Sequence, residues 1–398
     1  MRKLSRCGGK LMKVRKEKRW TATSSIKKFS ALFLILPFLM LTVVKVQAAN
    51  LPFTVKPELP TNQINPKAGY YYLKMDAGQT QTLKTVLFNT SAENIVVDIK
   101  SAPAKTAPTG LVAYMPLPAI PNDKSLQYDM TQLVTINGKK NENKVSLAAH
   151  TSKEIEITVD MPKEKFDGVI AGGLTFVQEG QQAESTQDKQ GISVVNNYQY
   201  ITALIIRQNM TVIQPKLQLD AVAATQYANR NVIALDLRNT AKIFTNQMSM
   251  RLDIKGKESQ NKDIHYQQTV SNLQIAPNSS LNYQYPLNGQ AYKPGKYEAT
   301  VDVYASIDDK GTYIFAAETQ PSNYLYHWRF TKDFEISPSQ AKRLNAIDPT
   351  VPKPKENMMI WYIVAALVAI ILIMAVVIYL LARKKKKQDD NEQSVSEK

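Results

Sequence analysis

The chain has 398 residues, room for two or three domains, and 44% of them are hydrophobic, enough to fill real cores. Its formal charge of +16 sits mostly at the ends: 12 Lys/Arg and one Glu precede residue 49, six Lys/Arg and four Asp/Glu follow from Arg383, and 32 basic against 29 acidic residues lie between. The near-neutral body excludes nucleic-acid binding as the meaning of that charge, and a single cysteine, Cys7, excludes a disulfide framework, cysteine zinc sites and thiol catalysis.

Basic runs beside apolar segments report membrane orientation. Phe29 to Val44 is an uncharged run of 16 residues behind Lys27 and Lys28, interrupted by Pro37 and followed by Val46-Gln47-Ala48-Ala49. This reads as a cleavable signal peptide cut after Ala48, with an uncleaved anchor as the alternative and Met12 as a second candidate start. A cysteine-free exported body of this size suits a Gram-positive bacterium.

Beyond Ala49 the pattern is alternation, as in Ile155, Ile157 and Val159, then Met248, Met250, Leu252 and Ile254, then Tyr297, Ala299, Val301 and Val303. Period two gives strands with one buried face, and helical periodicity is almost absent. Turn signals recur at Asp76-Ala77-Gly78, Asn137-Gly138, Asn288-Gly289 and Pro294-Gly295. The insert Pro103 to Pro121 carries five prolines and must be an extended loop or an irregular edge strand. Gln178 to Gly191 is polar, with nothing to bury, and reads as a linker or a long hairpin loop. A looser repeat in the order of elements on either side of it gives the predicted fold class: all-β, two tandem immunoglobulin-like β-sandwiches, plus the N-terminal signal peptide and one C-terminal transmembrane helix.

Ala346 to Glu356, with Pro349, Pro352 and Pro354, reads as a short stalk. Asn357 to Ala382 then runs 26 residues without a charge, framed by Trp361, Tyr362 and Tyr379 and closed by Arg383-Lys384-Lys385-Lys386-Lys387. This predicts a single span with the tail in the cytoplasm and residues 49 to 356 facing the cell wall.

No constellation for catalysis or for a cofactor emerges. His150, His265 and His327 are far apart with no ligand-spaced neighbour, no GxSxG or SxxK occurs, and Gly168 to Gly173 lacks a following helix that would make it a phosphate loop. The expectation is a non-enzyme with neither cofactor nor metal. The 19 tyrosines are more informative. In Tyr70-Tyr71-Tyr72-Leu73-Lys74-Met75, alternation puts Tyr71, Leu73 and Met75 on a core face and Tyr70, Tyr72 and Lys74 on the other, taken as exposed and as the candidate ligand-binding residues. Tyr324, Tyr326, Trp328 and Phe330 also share a face, which reads as core.

Phe53-Thr54-Val55-Lys56-Pro57-Glu58-Leu59-Pro60-Thr61-Asn62-Gln63, Asp76-Ala77-Gly78-Gln79, Met161-Pro162 with Phe166-Asp167-Gly168, and Gly172-Gly173 resemble the first domain of the WxL-interacting proteins of Gram-positive bacteria. Asn196-Asn197-Tyr198, Ala276-Pro277-Asn278-Ser279, Lys293-Pro294-Gly295-Lys296-Tyr297 and Trp328-Arg329-Phe330 are similar to that family's second domain. The resemblance implies a peptidoglycan-binding first domain, a host-binding second domain and WxL-domain surface proteins as partners. None of Trp20, Trp328 and Trp361 begins a Trp-x-Leu, so the chain looks like the partner of WxL proteins. The expected layout is signal peptide 1–48, first domain 49–180, second domain 190–345, stalk 346–356, span 357–382 and basic tail 383–398. The expected role is a membrane-anchored surface protein that binds peptidoglycan, WxL proteins and host matrix proteins. A secretion or assembly chaperone receiving other chains at exposed strand edges is the alternative. A wall hydrolase is disfavoured by the missing catalytic groups.

Overall fold

Apolar side chains recur at every second position, so the chain forms strands that each bury one face. The computed structural model describes residues 51–180, 199–316, 321–353 and 358–395. The expected signal segment with its cut after Ala48, Cys7, the Asn196-Asn197-Tyr198 motif and the polar segment beyond Gly180 lie outside those residues.

The first sandwich consists of two five-stranded sheets. One runs in the order β1 (Phe53–Glu58), β3 (Thr80–Asn89), β10 (Ser152–Asp160), β7 (Val134–Ile136), β8 (Lys139–Lys140). The other runs β2 (Tyr71–Lys74), β12 (Gln199–Arg207), β11 (Ile170–Gln178), β4 (Ile95–Pro103), β9 (Glu142–Leu147). Between β7 and β8 the turn is the expected Asn137-Gly138, both residues with positive φ (44° and 78°), the pair that matches the twist of a two-residue hairpin. The core between the sheets includes Tyr71, Leu83, Leu87, Ile99, Ile157 and Phe176.

One boundary differs from the sequence reading. Gln199–Arg207 was expected in the second domain, but it pairs antiparallel with β11 and parallel with β2, inside the first sandwich. Its alternation gives the reason: Leu204 and Ile206 are fully buried in the first core while Ile205 faces the other way. The chain therefore leaves the sheet at β11 and re-enters beside it as β12.

The second sandwich packs a three-stranded sheet, β13 (Leu217–Tyr227), β14 (Arg230–Asn239), β17 (Ser279–Pro286), against a five-stranded one, β16 (His265–Ile275), β15 (Thr245–Gly256), β18 (Gly295–Ile307), β20 (Ser322–Ile336), β19 (Tyr313–Phe315). Leu235, Met250, Leu252, Tyr297 and Val301 are central in its core. Tyr326, Trp328 and Phe330 pack half-buried onto that core, and Tyr324 is buried.

The proline-rich insert joins the two sandwiches. It forms a small ribbon, β5 (Lys105–Thr106) with β6 (Val112–Ala113). Thr106 N donates to Ser279 Oγ (3.0 Å), Ala276 N donates to Thr106 Oγ1 (3.0 Å), and Gln274 N donates to the Gly110 carbonyl (2.7 Å). Beside these bonds a small apolar seam, with Ala104, Val169, Ala171, Ile205 and Ala276, contains side chains from both sandwiches.

The four-residue helix α1 (Met130–Leu133) drops Met130 into the first core. A longer helix, α2 (Pro338–Ile347), was not expected. Its start is nonetheless written in Ser337-Pro338-Ser339-Gln340, where Ser337 caps by accepting from Gln340 N (3.2 Å) and proline occupies the first turn. Ala341 and Leu344 bury into the second core. The predicted stalk is consequently shorter at its start. Asp348 is 1% exposed, and Oδ2 accepts from Asn231 N (2.8 Å) while Oδ1 accepts from Thr350 N (2.8 Å).

Burial pushes the Asp348 carboxyl up, but hydrogen bonds from Thr350 and Asn231 and the Arg230 guanidinium outweigh that and hold it below the ordinary carboxylate value. A depressed acid stabilises the fold above its unfolded value and loses that contribution as pH falls through the folded one. Asp348→Ala should cost about 2–4 kcal/mol at pH 7 through the lost acceptors. Urea titration should show the gap to wild type narrowing as pH falls below about 3.9.

The last helix, α3 (Met358–Val395), contains the 24 residues Trp361–Lys384, none of them buried, with an 18-residue window of mean hydropathy 3.2. At ~1.5 Å per residue it exceeds the ~30 Å of a bilayer core, so it is long and apolar enough to cross a membrane.

Candidate functional site

Strand β2 is where the sequence placed a candidate site, and its alternation is sharp. Tyr71, Leu73 and Met75 are at most 1% exposed. Tyr71 Oη donates to the Lys84 carbonyl (2.6 Å) and shares a hydrogen bond with Thr85 Oγ1 (2.8 Å), and burial pushes its phenol up to about 12.

The opposite face is not as open as expected. Lys74 is exposed, but Tyr70 and Tyr72 are half-buried and pack against the seam between the sandwiches. Coverage by the second sandwich and by the proline-rich insert is the cause. The insert can approach because β11 is bare there: a Cβ at Gly173 would collide with the carbonyl oxygen of Tyr114. Gly172-Gly173 thus serves close packing, which also sets Tyr114 beside Tyr70. Burial, with Tyr70 adding to it, pushes the Tyr114 phenol up to about 12.

These side chains open onto a groove of about 570 Å³, with Tyr70, Tyr72, Tyr114 and Arg207 on one side and Phe244 and Tyr326 from the second sandwich on the other. The size is that of an ordinary ligand cleft. Arg207, at the end of β12 opposite Lys74 of β2, is 9% exposed. Its Nη1 donates to Tyr72 Oη (2.9 Å), Nη2 to the Thr211 carbonyl (2.9 Å) and Nε to the Asn209 carbonyl. All three acceptors are neutral.

A second groove, also of about 570 Å³, lies where the insert meets β14 and β17. There Ser280 Oγ donates to Asp123 Oδ2 (2.7 Å) and Arg238 Nη2 pairs with Asp220 (2.9 Å). Burial foremost, and then the Asp220 charge, raise the carboxyl of Asp236. The Asp123 bond joins the domains, and the carboxylates face a local cation, so this groove reads as linkage.

The histidines stay apart. His265 Nε2 meets Asp253 Oδ1 at 3.0 Å and His327 Nε2 meets Asp302 Oδ1 at 3.1 Å, each on neighbouring strands. Among the described residues no group of three His, Cys, Asp or Glu is placed to hold a metal.

Two family models match in the order in which the sandwiches occur. The model for the WxL Interacting Protein peptidoglycan binding domain matches residues 53–178, and that for the WxL Interacting Protein host binding domain matches residues 189–346. The chain belongs to the WxL-interacting protein family. The second match begins ahead of β12, so the strand that completes the first sandwich is matched together with the second domain of this WxL-interacting protein. Tyr70, Tyr72 and Tyr114 fall in the first match, Arg207, Phe244 and Tyr326 in the second.

No curated protein matches the chain. Among solved structures it is similar to the class 5 fimbrial chaperone CfaA (13% identity over 70% of this chain and 98% of that one, TM-score 0.25). It is also similar to the YadV chaperone (13%, 72% and 100%, TM-score 0.26) and to the Escherichia coli chaperone DraB (13%, 72% and 98%, TM-score 0.24). At such TM-scores the likeness supports no argument about function.

Arg207, Tyr114 and Phe244 were not singled out on sequence. A signal was present only for Arg207, a charge closing the apolar run Ile201 to Ile206. Tyr114 and Phe244 gain their position from the meeting of two domains, which strand alternation does not encode.

Proposed function

We infer that this WxL-interacting protein is a non-enzymatic surface protein that holds peptidoglycan with its first sandwich and engages WxL-domain surface proteins and host matrix proteins with the rest of its exposed part. The observation that carries the reading is the ordered pair of domain matches over 53–178 and 189–346. In this reading Trp361–Lys384 crosses the cell membrane, residues from 49 face the wall and the basic tail lies in the cytoplasm, as the run from Arg383 to Lys387 favours. Tyr70, Tyr72 and Lys74 are the proposed wall contacts, tyrosine rings stacking on sugar and the ammonium meeting anionic groups.

The test is retention of soluble residues 52–353 on purified wall sacculi. Tyr70→Ala with Tyr72→Ala should weaken retention roughly tenfold or more, about 1.4 kcal/mol. Because both rings are half-buried, a thermal melt must accompany the assay. Lys74 is exposed, so Lys74→Ala is the cleaner variant and should weaken retention with the melt unchanged. Full retention by folded forms of both variants rules out these contacts. Release of soluble wall fragments by the wild-type protein rules out the non-enzymatic reading.

A further inference from the structure

We propose that the groove between the two sandwiches recognises a carboxylate of the wall's peptide stems, with Arg207 as the receiving group and tyrosines from both domains around it. The inference rests on the peptidoglycan-binding reading and gives that reading a chemical target.

Among the described residues Arg207 is a charge without an oppositely charged partner. Arg207 is 9% exposed, and a buried guanidinium is ordinarily paired with a carboxylate. Here its acceptors are a phenol and two backbone carbonyls, and among the described residues no carboxylate lies within ion-pair distance of it. Guanidinium carries five N–H donors, so three bonds to neutral oxygens leave two donors and the whole positive charge uncompensated. By contrast, Arg230 and Arg238, which are more exposed, pair with Asp348 and Asp220. The anchoring bonds also fix the fork. Nε and Nη2 hold the backbone after β12 and Nη1 holds Tyr72, so the group is ordered before any ligand arrives, which lowers the entropy cost of binding.

The surroundings select the kind of anion. Tyr70, Tyr72 and Tyr114 from one sandwich and Phe244 and Tyr326 from the other line the same groove, and among the described residues no acidic one lines it. Aromatic faces with polar edges suit a ligand that carries sugar rings as well as a carboxylate, and a planar guanidinium matches a carboxylate in a two-point fork. A muramyl-peptide unit has both. Since each wall of the groove belongs to a different sandwich, the site exists only while the insert holds the domains together.

The experiment uses the full chain in detergent and two soluble probes: disaccharide-peptide fragments released from purified wall by a muramidase, and the same fragments with their carboxylates converted to amides. Retention on intact sacculi is measured in parallel. The wild-type chain should bind the free-acid fragments at least tenfold more tightly than the amides. Arg207→Met should bind both equally weakly. Because Arg207 also ties down the chain after β12, Leu325→Glu serves as a second variant: Leu325 is 39% exposed in the groove wall, and the new carboxylate would compete for Arg207 without disturbing a core. It too should abolish the preference for free acid. Equal binding of acid and amide by the wild-type chain overturns the proposal, as does an unchanged preference in a folded variant. Retention on sacculi with neither fragment bound overturns the groove site while leaving wall binding intact. Loss of both overturns the wall reading with it.

Discussion

A fragment ending at residue 180 is expected not to fold, whereas one ending at residue 213 is expected to give a cooperative β-sheet melt. The first cut falls at the place where sequence composition suggests a domain boundary, yet it deletes β12. That strand sits between β11 and β2, and with it go Leu204 and Ile206 from the first core and Ile205 from the seam. Each large aliphatic lost from a packed site costs ~2–5 kcal/mol, so the three together reach the ~5–15 kcal/mol that holds an ordinary domain folded. Strand β2 would suffer as well, because among the described residues β12 is its only strand partner beyond an isolated bridge from Leu73 to Gln63. The longer fragment keeps Gln208, whose Nε2 donates to the carbonyls of Pro162 (3.0 Å) and Glu164 (2.9 Å) and so closes the end of the sandwich. Circular dichroism and thermal unfolding of residues 52–180 and 52–213 decide the matter. Equal, cooperative melts would show that β12 is dispensable and that its place in the first sandwich is wrong.

The same strand shows what a sequence can and cannot disclose. Period-two alternation in Ile155, Ile157 and Val159 or in Tyr297, Ala299 and Val301 identifies strands and their buried faces, because every such residue proves to be fully buried. Alternation is a local property. It says which face of β12 is apolar but not which sheet receives it, and Ile201 to Ile206 reads as apolar on both faces because one serves a core and the other an interdomain seam. For Tyr70 and Tyr72 the limit is similar. Their face is correctly separated from that of Tyr71, but what covers it comes from the proline-rich insert and from the second sandwich, far away in the chain. Prolines mark the insert as irregular, and the bonds that link Thr106 with Ser279 and Ala276, Gly110 with Gln274 and Asp123 with Ser280 show it to be a joint. Helix α2 is a different kind of miss. Its cap is legible in Ser337-Pro338-Ser339-Gln340, but a ten-residue helix offers too few buried positions to set a period, here Ala341 and Leu344.

Replacing Tyr71 should have the largest effect of any single substitution in β2. The ring is fully buried at the centre of the first core, so Tyr71→Ala should lower stability by roughly 3–5 kcal/mol, the range for deleting a core aromatic. Tyr71→Phe separates packing from hydrogen bonding. It keeps the ring but leaves the Lys84 carbonyl and Thr85 Oγ1 without their partner, which should cost about 1–2 kcal/mol. The two variants also differ in pH response. Burial raises the Tyr71 phenol from 10.0 to about 12, so the folded state keeps a proton that the unfolded state has already lost. A raised acid stabilises the fold fully below its unfolded value and loses that contribution as pH rises through the folded one. Wild-type stability should therefore fall between about pH 10 and pH 12 more steeply than that of Tyr71→Phe, in which this proton is absent while the other buried phenols remain. Urea unfolding of residues 52–353 at pH 8, 10 and 11 measures the difference. Parallel curves for the two proteins would mean that Tyr71 titrates normally and that its hydroxyl is not held in the core as the bonds to Lys84 and Thr85 require.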